Sequence, residues 1–241
     1  HARAWLLAHD NDALPGAAHA RLHELATRRL AGEPMAYLTG SKAFYGLQLQ
    51  VDARVLDPRD DTETLVDWAL ALLPRDAGRR VLDLGTGSGA IALALAAERP
   101  RARVTAVDAS ADALAVAAGN AARLGLELDL RHGDWFGPLA DERFDLIVSN
   151  PPYIAADDPH LPALSHEPRQ ALVSGADGLH DIRRIIAAAP EHLAPGAWLL
   201  LEHGWDQAAA ARALLSDSGW AQVQSRRDLA GVERCSGGQW P

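Results

Sequence analysis

The chain has little sulfur and little lysine: one cysteine (Cys235), one methionine and one lysine (Lys42) in 241 residues. A lone cysteine cannot close an intramolecular disulfide or supply a thiolate-rich metal site, so nothing points to an oxidising compartment and the cytoplasm is the expected location. Long apolar runs are missing as well. Even residues 90–97 fall far short of the ~18 needed to cross a bilayer and end in Glu98-Arg99-Pro100. Positive charge is scarce, with 23 basic against 32 acidic residues and a net charge of −9, which argues against a basic face that holds long nucleic acid. No histidine pattern of the H-E-x-x-H kind occurs, and no metal is expected. The first residue is His1 and no charged-then-apolar leader follows it, so the chain is expected to lack a signal peptide and can be a fragment.

What is present is an ordinary globular composition, 48% hydrophobic and 23% charged. At roughly 150 residues per domain, the length suggests one large domain with an appendage. Up to about residue 40, apolar residues recur at three- and four-residue spacing (Leu22, Leu25, Ala26, Leu30), which predicts short amphipathic helices broken at residues 32–34. Such helices have too little apolar area to stand alone and are expected to pack on something. Alternation from 43 to 55, with Gly46 and Asp52 as turn residues, predicts a β-hairpin connector. Asp61 or Thr62 offers an N-cap for a helix ending before Pro74.

Beyond residue 80 the rhythm is strand, glycine turn, helix, repeated. Strands are expected at 81–84, 103–107, 128–131, 144–149, 198–201 and 220–226, and helices at 90–98, 111–124 and 206–215. That alternation predicts a mostly parallel sheet covered by helices on both faces. Residues 157–168 read as a proline-broken loop near the strand ends, where substrates usually sit.

Two segments carry chemistry. The strand at 81–84 runs into Gly85-Thr86-Gly87-Ser88-Gly89, whose alternate glycines let a ligand touch backbone. The spacing is tighter than the dinucleotide fingerprint and resembles the turn of class I S-adenosylmethionine (SAM) methyltransferases. Asp108 closes the next strand, where a carboxylate can accept hydrogen bonds from both hydroxyls of a ribose. The second segment is Ser149-Asn150-Pro151-Pro152-Tyr153. Consecutive prolines hold the backbone extended and remove two N–H donors, leaving carbonyls and the asparagine amide fixed in place. An Asn-Pro-Pro-Tyr turn resembles the signature of methyltransferases acting on planar nitrogen: an adenine or cytosine amine, or a glutamine amide. The Asn150 side-chain oxygen and the Pro151 carbonyl can each take one N–H, aiming the nitrogen lone pair at a methyl donor. Tyr153 can pack on the flat group.

Taken with Gly32-Glu33-Pro34, Tyr37-Leu38-Thr39-Gly40, Asp61-Thr62-Glu63, Asp134-Trp135-Phe136 and Leu201-Glu202-His203-Gly204-Trp205, the sequence resembles the HemK/PrmC family of protein-(glutamine) methyltransferases over nearly its whole length. Members modify the glutamine of the Gly-Gly-Gln motif in class 1 peptide chain release factors. The resemblance implies an α/β class I SAM-dependent methyltransferase fold, Rossmann-like, with a seven-stranded mostly parallel sheet. A small, truncated N-terminal helical segment (1–40) for substrate recognition, a β-hairpin linker (41–56) and the methyltransferase domain (57–241) would follow in order. It also implies that Gly85, Thr86, Gly87, Ser88 and Gly89 hold the methionine part of SAM and Asp108 the ribose. Trp135 would hold the adenine, with Asn150 also beside the cofactor, and Asn150, Pro151, Pro152 and Tyr153 would take the substrate glutamine. An adenine-specific DNA or RNA methyltransferase would use the same turn, and a non-catalytic module would keep the fold alone.

Departures from the family pattern are the short N-terminal segment and Asp60 where a proline is usual, which is expected to loosen that stretch. A third is the C-terminal Gly237-Gly238-Gln239, which copies the substrate tripeptide and is expected to be an edge-strand accident. His203 is expected to be structural, since the methylated amide can lose its proton to water. His160 and His166 lie in the loop after Tyr153, within reach of substrate.

Overall fold

A computed structural model describes residues 3–241; residues 1 and 2 of the expected helical segment lie outside the described residues. The N-terminal segment forms α1 (Arg3–Ala8), α2 (Gly16–Leu30) and α3 (Met35–Thr39). The expectation that these helices pack their apolar faces holds only for α3, which buries Ala36 and Tyr37 and donates the Tyr37 hydroxyl to the Val55 carbonyl at 2.5 Å. No residue of α2 is buried, and Leu6, Leu7, Leu22 and Leu30 stay exposed.

That hairpin pairs β1 (Ser41–Phe44) with β2 (Leu47–Gln50) through Tyr45-Gly46, both at positive φ, as a two-residue turn of matching twist requires. The ladder ends at Gln50, short of residue 55 where the alternation ends, and the chain turns after Asp52, the turn residue read from the sequence. Phe44 and Leu49 sink into the core, and Asn120 clamps both the N–H and the carbonyl of Gln50, which ties the hairpin to the main domain. Asp60, expected to loosen its stretch, sits in a 3₁₀ turn (Asp60–Thr62) and pairs with Lys42 at 2.7 Å. The helix α4 (Glu63–Leu72) follows, and neither Asp61 nor Thr62 caps it through a side chain. The Thr62 hydroxyl is engaged elsewhere, as described below.

The sheet is built from β3 (Arg80–Leu84), β4 (Arg103–Asp108), β5 (Asp129–His132), β6 (Phe144–Ser149), β7 (Leu193–Glu202), β8 (Ala221–Arg227) and β9 (Glu233–Gln239). Helices α5 (Ala90–Glu98), α6 (Ala111–Leu124), α7 (His180–Ala188) and α8 (Ala208–Asp217) cover it. The strand order is β5-β4-β3-β6-β7-β9-β8, with β9 alone running opposite to the other six. This is the seven-stranded, mostly parallel sheet expected. Helix α7 was not anticipated, although Ile182, Ile185 and Ile186 give it one buried face. Apolar side chains line both faces of the central strands and form two clusters, one under α4 to α6 and the hairpin, one under α7. Because β4 lies on one side of β3 and β6 on the other, a crevice opens at the carboxyl ends of these strands, where ligands of such sheets bind. Among the described residues no helix is long and apolar enough to cross a membrane.

The C-terminal Gly237-Gly238-Gln239 is not on an edge. It lies within β9, between β7 and β8, and the edge is β8. A side chain at Gly237 would come within 2.5 Å of the Leu199 carbonyl oxygen and 2.6 Å of Leu200, so the small residues serve close packing of the sheet. Gln239 pairs with Trp198 at the end of the sheet opposite the crevice and donates its amide to the Gly196 carbonyl at 2.7 Å. Incubation with SAM alone is therefore expected to leave Gln239 unmethylated, and a 14 Da (about one methyl) gain on the C-terminal peptide in mass spectrometry would contradict this placement.

Candidate active site

The turn after β3 carries three left-handed glycines, Gly85 (φ 71°), Gly87 (φ 55°) and Gly89 (φ 83°). Residues with a Cβ are strained in that region, so alternate glycine is what allows the chain to coil this tightly. The amides of Gly85 and Thr86 both donate to the Val107 carbonyl, and the Gly87 amide donates to Asp108 Oδ2 at 2.8 Å. Asp108 Oδ1 accepts from the Ser110 amide, also at 2.8 Å. These bonds fix the carboxylate at the end of β4 with lone pairs left over for a ligand. Burial raises its pKa, opposed by the two amide donors.

Beneath the turn, Asp83 is wholly buried and accepts from the Thr86 hydroxyl at 2.6 Å and the Ala92 amide at 3.2 Å, tying the turn to α5. Burial pushes its pKa up to about 7, assisted by the nearby Asp108 charge.

A cleft of ≈ 740 Å³ lies above the turn, lined by Gly85, Gly87, Asp108, Trp135, Asn150 and Pro152, with Val55, Leu56, Pro168 and Gln170 on its far wall. Trp135, at φ 46°, turns its ring against Gly85, where an added Cβ would stand 3.4 Å from it. A Cβ at Gly87 would meet no protein atom within 4 Å, so that edge faces open cleft. Of the five turn residues singled out from the sequence, Gly85 and Gly87 reach the cleft. Thr86 and Ser88 are buried, the first on Asp83, the second giving its carbonyl to Asn120, and Gly89 packs against Leu93 and Ala117.

The Asn150–Tyr153 segment leaves β6 beside the cleft. Asn150 donates Nδ2 to the Thr62 hydroxyl at 3.3 Å. Among the described residues none donates to Asn150 Oδ1 or to the Pro151 carbonyl. Pro151 is buried and Pro152 borders the cleft. Tyr153 is half-buried and directs its hydroxyl to Glu202 Oε1 at 3.5 Å. Its pKa is raised, first by burial and then by the Glu202 charge. Downstream, Gln207 donates to the Tyr153 carbonyl at 3.0 Å and accepts from the Gly204 amide at 2.8 Å, and Gly178 lies so close to that carbonyl that a Cβ would stand 2.3 Å away. Arg59 and buried Glu167 pair at 2.5 Å and join the two stretches of the far wall.

Thr62, Glu202, Gln207 and the Arg59–Glu167 pair were not assigned roles from the sequence. The Leu-Glu-His-Gly run marked the neighbourhood of Glu202, but not its burial. His203 is buried between the Gly204 carbonyl and the Ser236 hydroxyl, with its pKa lowered by burial, which fits a structural part. His160 is paired with Asp158 and His166 reaches the Ala31 carbonyl; neither lines the cleft.

Residues 62–203 match the methyltransferase small domain family and residues 1–40 the PrmC N-terminal domain family. A release factor glutamine methyltransferase of Bordetella pertussis is 57% identical over 239 residues, covering 98% of this chain and 88% of that protein. One from Pseudomonas aeruginosa is 51% identical over 241 residues, covering 99% and 87%. The chain belongs to the release factor glutamine methyltransferase family. The fold of the family is shared more widely. A methyltransferase from Pyrococcus furiosus superposes with a TM-score of 0.61 at 19% identity, covering 93% of this chain and 98% of that one. A 16S rRNA methyltransferase of Thermus thermophilus gives 0.61 at 21%, covering 83% and 50%.

The buried acids of this family member give it a pH signature. Asp83 and Glu202, both pushed up to about 7 by burial, hold protons in the fold that the unfolded chain has released above pH ~4. The folded state then binds more protons than the unfolded one between about pH 4 and 7, so stability declines as pH rises through that window and levels off above it. Unfolding free energies from urea titrations at pH 5 and 8 are expected to differ by ~5 kcal/mol in favour of pH 5, and Asp83→Asn to shrink the difference. Stability that rises with pH over this range would contradict the assignment.

Proposed function

We propose that this protein transfers the methyl group of S-adenosylmethionine to the side-chain amide nitrogen of the glutamine in the Gly-Gly-Gln motif of class 1 peptide chain release factors, as a cytoplasmic enzyme. The observation that carries the reading is the pair of unengaged acceptors, Asn150 Oδ1 and Pro151 O, beside a cleft that ends on Asp108 and Trp135.

The residues fit the cofactor. Asp108 would take the ribose hydroxyls, Trp135 the adenine face, and the glycine turn 85–89 the methionine part, with Gly85 and Gly87 in contact and Thr86, Ser88 and Gly89 holding the turn's shape. When bound, SAM supplies an electrophilic methyl group on a sulfonium. An amide nitrogen is a poor nucleophile because its lone pair is delocalised. Asn150 and Pro151 each accept one N–H, which orients the lone pair and stabilises positive charge as it develops. Pro152 keeps the segment extended, and Tyr153 packs against the flat amide. The N–C bond would form as the methyl–sulfur bond breaks, with S-adenosylhomocysteine as the leaving product, and the nitrogen's proton would go to solvent, so no side-chain base is required. Residues 1–40 would contribute recognition of the release factor, 41–56 the linker, and 57–241 the methyltransferase domain.

Incubation with methyl-labelled SAM and either release factor or nucleic acid tests the reading. Label on the release factor, abolished when its Gly-Gly-Gln glutamine is replaced by alanine, is the expected result. Label on nucleic acid alone would overturn it.

A further inference from the structure

Outside the N-terminal segment, two large apolar side chains are exposed among the described residues, Trp205 at 73% and Leu229 at 109%. Single exposed apolar residues are ordinary on any protein surface. These two are not scattered. Trp205 follows β7 and Leu229 lies between β8 and β9. Because β6, β7 and β8 run the same way, both stand at the crevice end of the sheet, where Asn150 leaves β6. The glycine turn and Asp108 follow β3 and β4, on the other side of β6. Asn150 therefore divides the crevice, with the cofactor cleft toward β4 and the two apolar tips toward β8.

Each side chain sits at the corner of a turn that the fold holds in place. The Gln207 amide donates to the Gly204 carbonyl at 3.0 Å, which makes Trp205 and Asp206 the corner residues of a β-turn. The Gln207 side chain accepts from the Gly204 amide at 2.8 Å and donates to the Tyr153 carbonyl at 3.0 Å, so this turn is fastened to the Asn150–Tyr153 segment itself. In the β8–β9 hairpin the Gly231 amide donates to the Asp228 carbonyl at 2.9 Å, which puts Leu229 and Ala230 at the corner. Buried Asp228 accepts from the Val232 amide at 2.9 Å and pairs with Arg234 at 3.0 Å. Arg234 pairs in turn with Asp61 at 3.1 Å, next to Thr62, the partner of Asn150. Turn corners ordinarily carry Gly, Pro, Asn, Asp or Ser. A tryptophan and a leucine presented there on fixed backbone are suited to anchor a partner, since little ordering remains for binding to impose.

The neighbouring charges select a polypeptide over a nucleic acid. Leu229 borders a groove with Asp60, Asp61, Glu63 and Asp67, and Asp206 adjoins Trp205. The hairpin's arginines are engaged: Arg226 over the Trp68 ring, Arg227 on the Gly231 carbonyl, Arg234 on the two aspartates. A phosphate backbone would meet carboxylates here, whereas an apolar protein segment would bury Trp205 and Leu229.

We propose that Trp205 and Leu229 form a docking ledge for the substrate protein, gripping apolar side chains of the release factor beside the loop that carries its reacting glutamine. The inference rests on the function proposed above. The ledge is continuous with the Asn150–Tyr153 segment and faces away from the cofactor cleft, so it acts on substrate affinity and not on SAM.

The test is steady-state methylation of release factor by the full chain. Trp205→Ala is expected to raise the KM for release factor ~10- to 30-fold and Leu229→Ser ~3- to 10-fold. The kcat at saturating release factor, SAM affinity and Tm should stay within about twofold or a degree or two of the parent, because both side chains are exposed. Trp205→Phe, which keeps an aromatic anchor, is expected to bring KM to within about threefold of the parent. A KM equal to the parent's in the variant carrying both Trp205→Ala and Leu229→Ser would overturn the proposal and leave the proposed function standing. So would a loss that falls on kcat, SAM affinity or Tm instead of KM, as a merely structural turn would give, or a phenylalanine variant that fails to recover. Label on nucleic acid alone with the parent chain would overturn the proposed function, and the ledge with it.

Discussion

Asn150→Ala is expected to lower turnover by ~10²-fold or more while SAM binds nearly as before, by analogy with removing one partner of an oxyanion hole. Two features of the structure support a loss confined to the chemical step. The side-chain oxygen of Asn150 is unengaged within the described chain, and the amide nitrogen is tied to Thr62, not to the cofactor turn. The amides of the glycine turn donate to the Val107 carbonyl and to Asp108, so truncating Asn150 leaves the turn intact. Single-turnover methylation alongside SAM titration separates the two effects. Turnover within a few-fold of the parent would remove Asn150 from the reaction.

The second large effect is expected at the cofactor cleft. Asp108→Ala removes a carboxylate whose hydrogen bonds to a ribose are charge-assisted, each worth ~1.5–3 kcal/mol, and SAM affinity should fall about 10- to 150-fold. Gly87→Val should weaken SAM binding comparably by a different route. A Cβ there meets no protein atom within 4 Å, so apart from the ~1–2 kcal/mol of left-handed strain at φ 55° the substitution harms only what occupies the cleft. Calorimetric titration of SAM, paired with Tm without SAM, distinguishes the two contributions. Unchanged affinity in both variants would place the cofactor elsewhere.

The sequence by itself determined much of this protein. Apolar runs such as residues 81–84 and 144–149 are readable as buried strands, because a strand covered by helices on both faces needs no polar alternation. Gly85-Thr86-Gly87-Ser88-Gly89 and Asn150-Pro151-Pro152-Tyr153 were legible because a tight turn and a rigid extended segment are local properties, set by which residues tolerate positive φ or lack an N–H. What stayed hidden depends on contacts between distant residues. Thr62 reads as a helix cap until it is placed beside Asn150, 88 positions on. Glu202 reads as the polar end of a strand until the sheet and α4 close over it and burial raises its pKa. The tripeptide Gly237-Gly238-Gln239 reads as an accident of an edge strand until β9 is found inserted between β7 and β8, where at Gly237 only glycine fits beneath Leu199 and Leu200. Backbone preference is fixed within a few residues, whereas burial, pairing and the polarity of a hydrogen-bond chain exist only after the fold has brought their partners together.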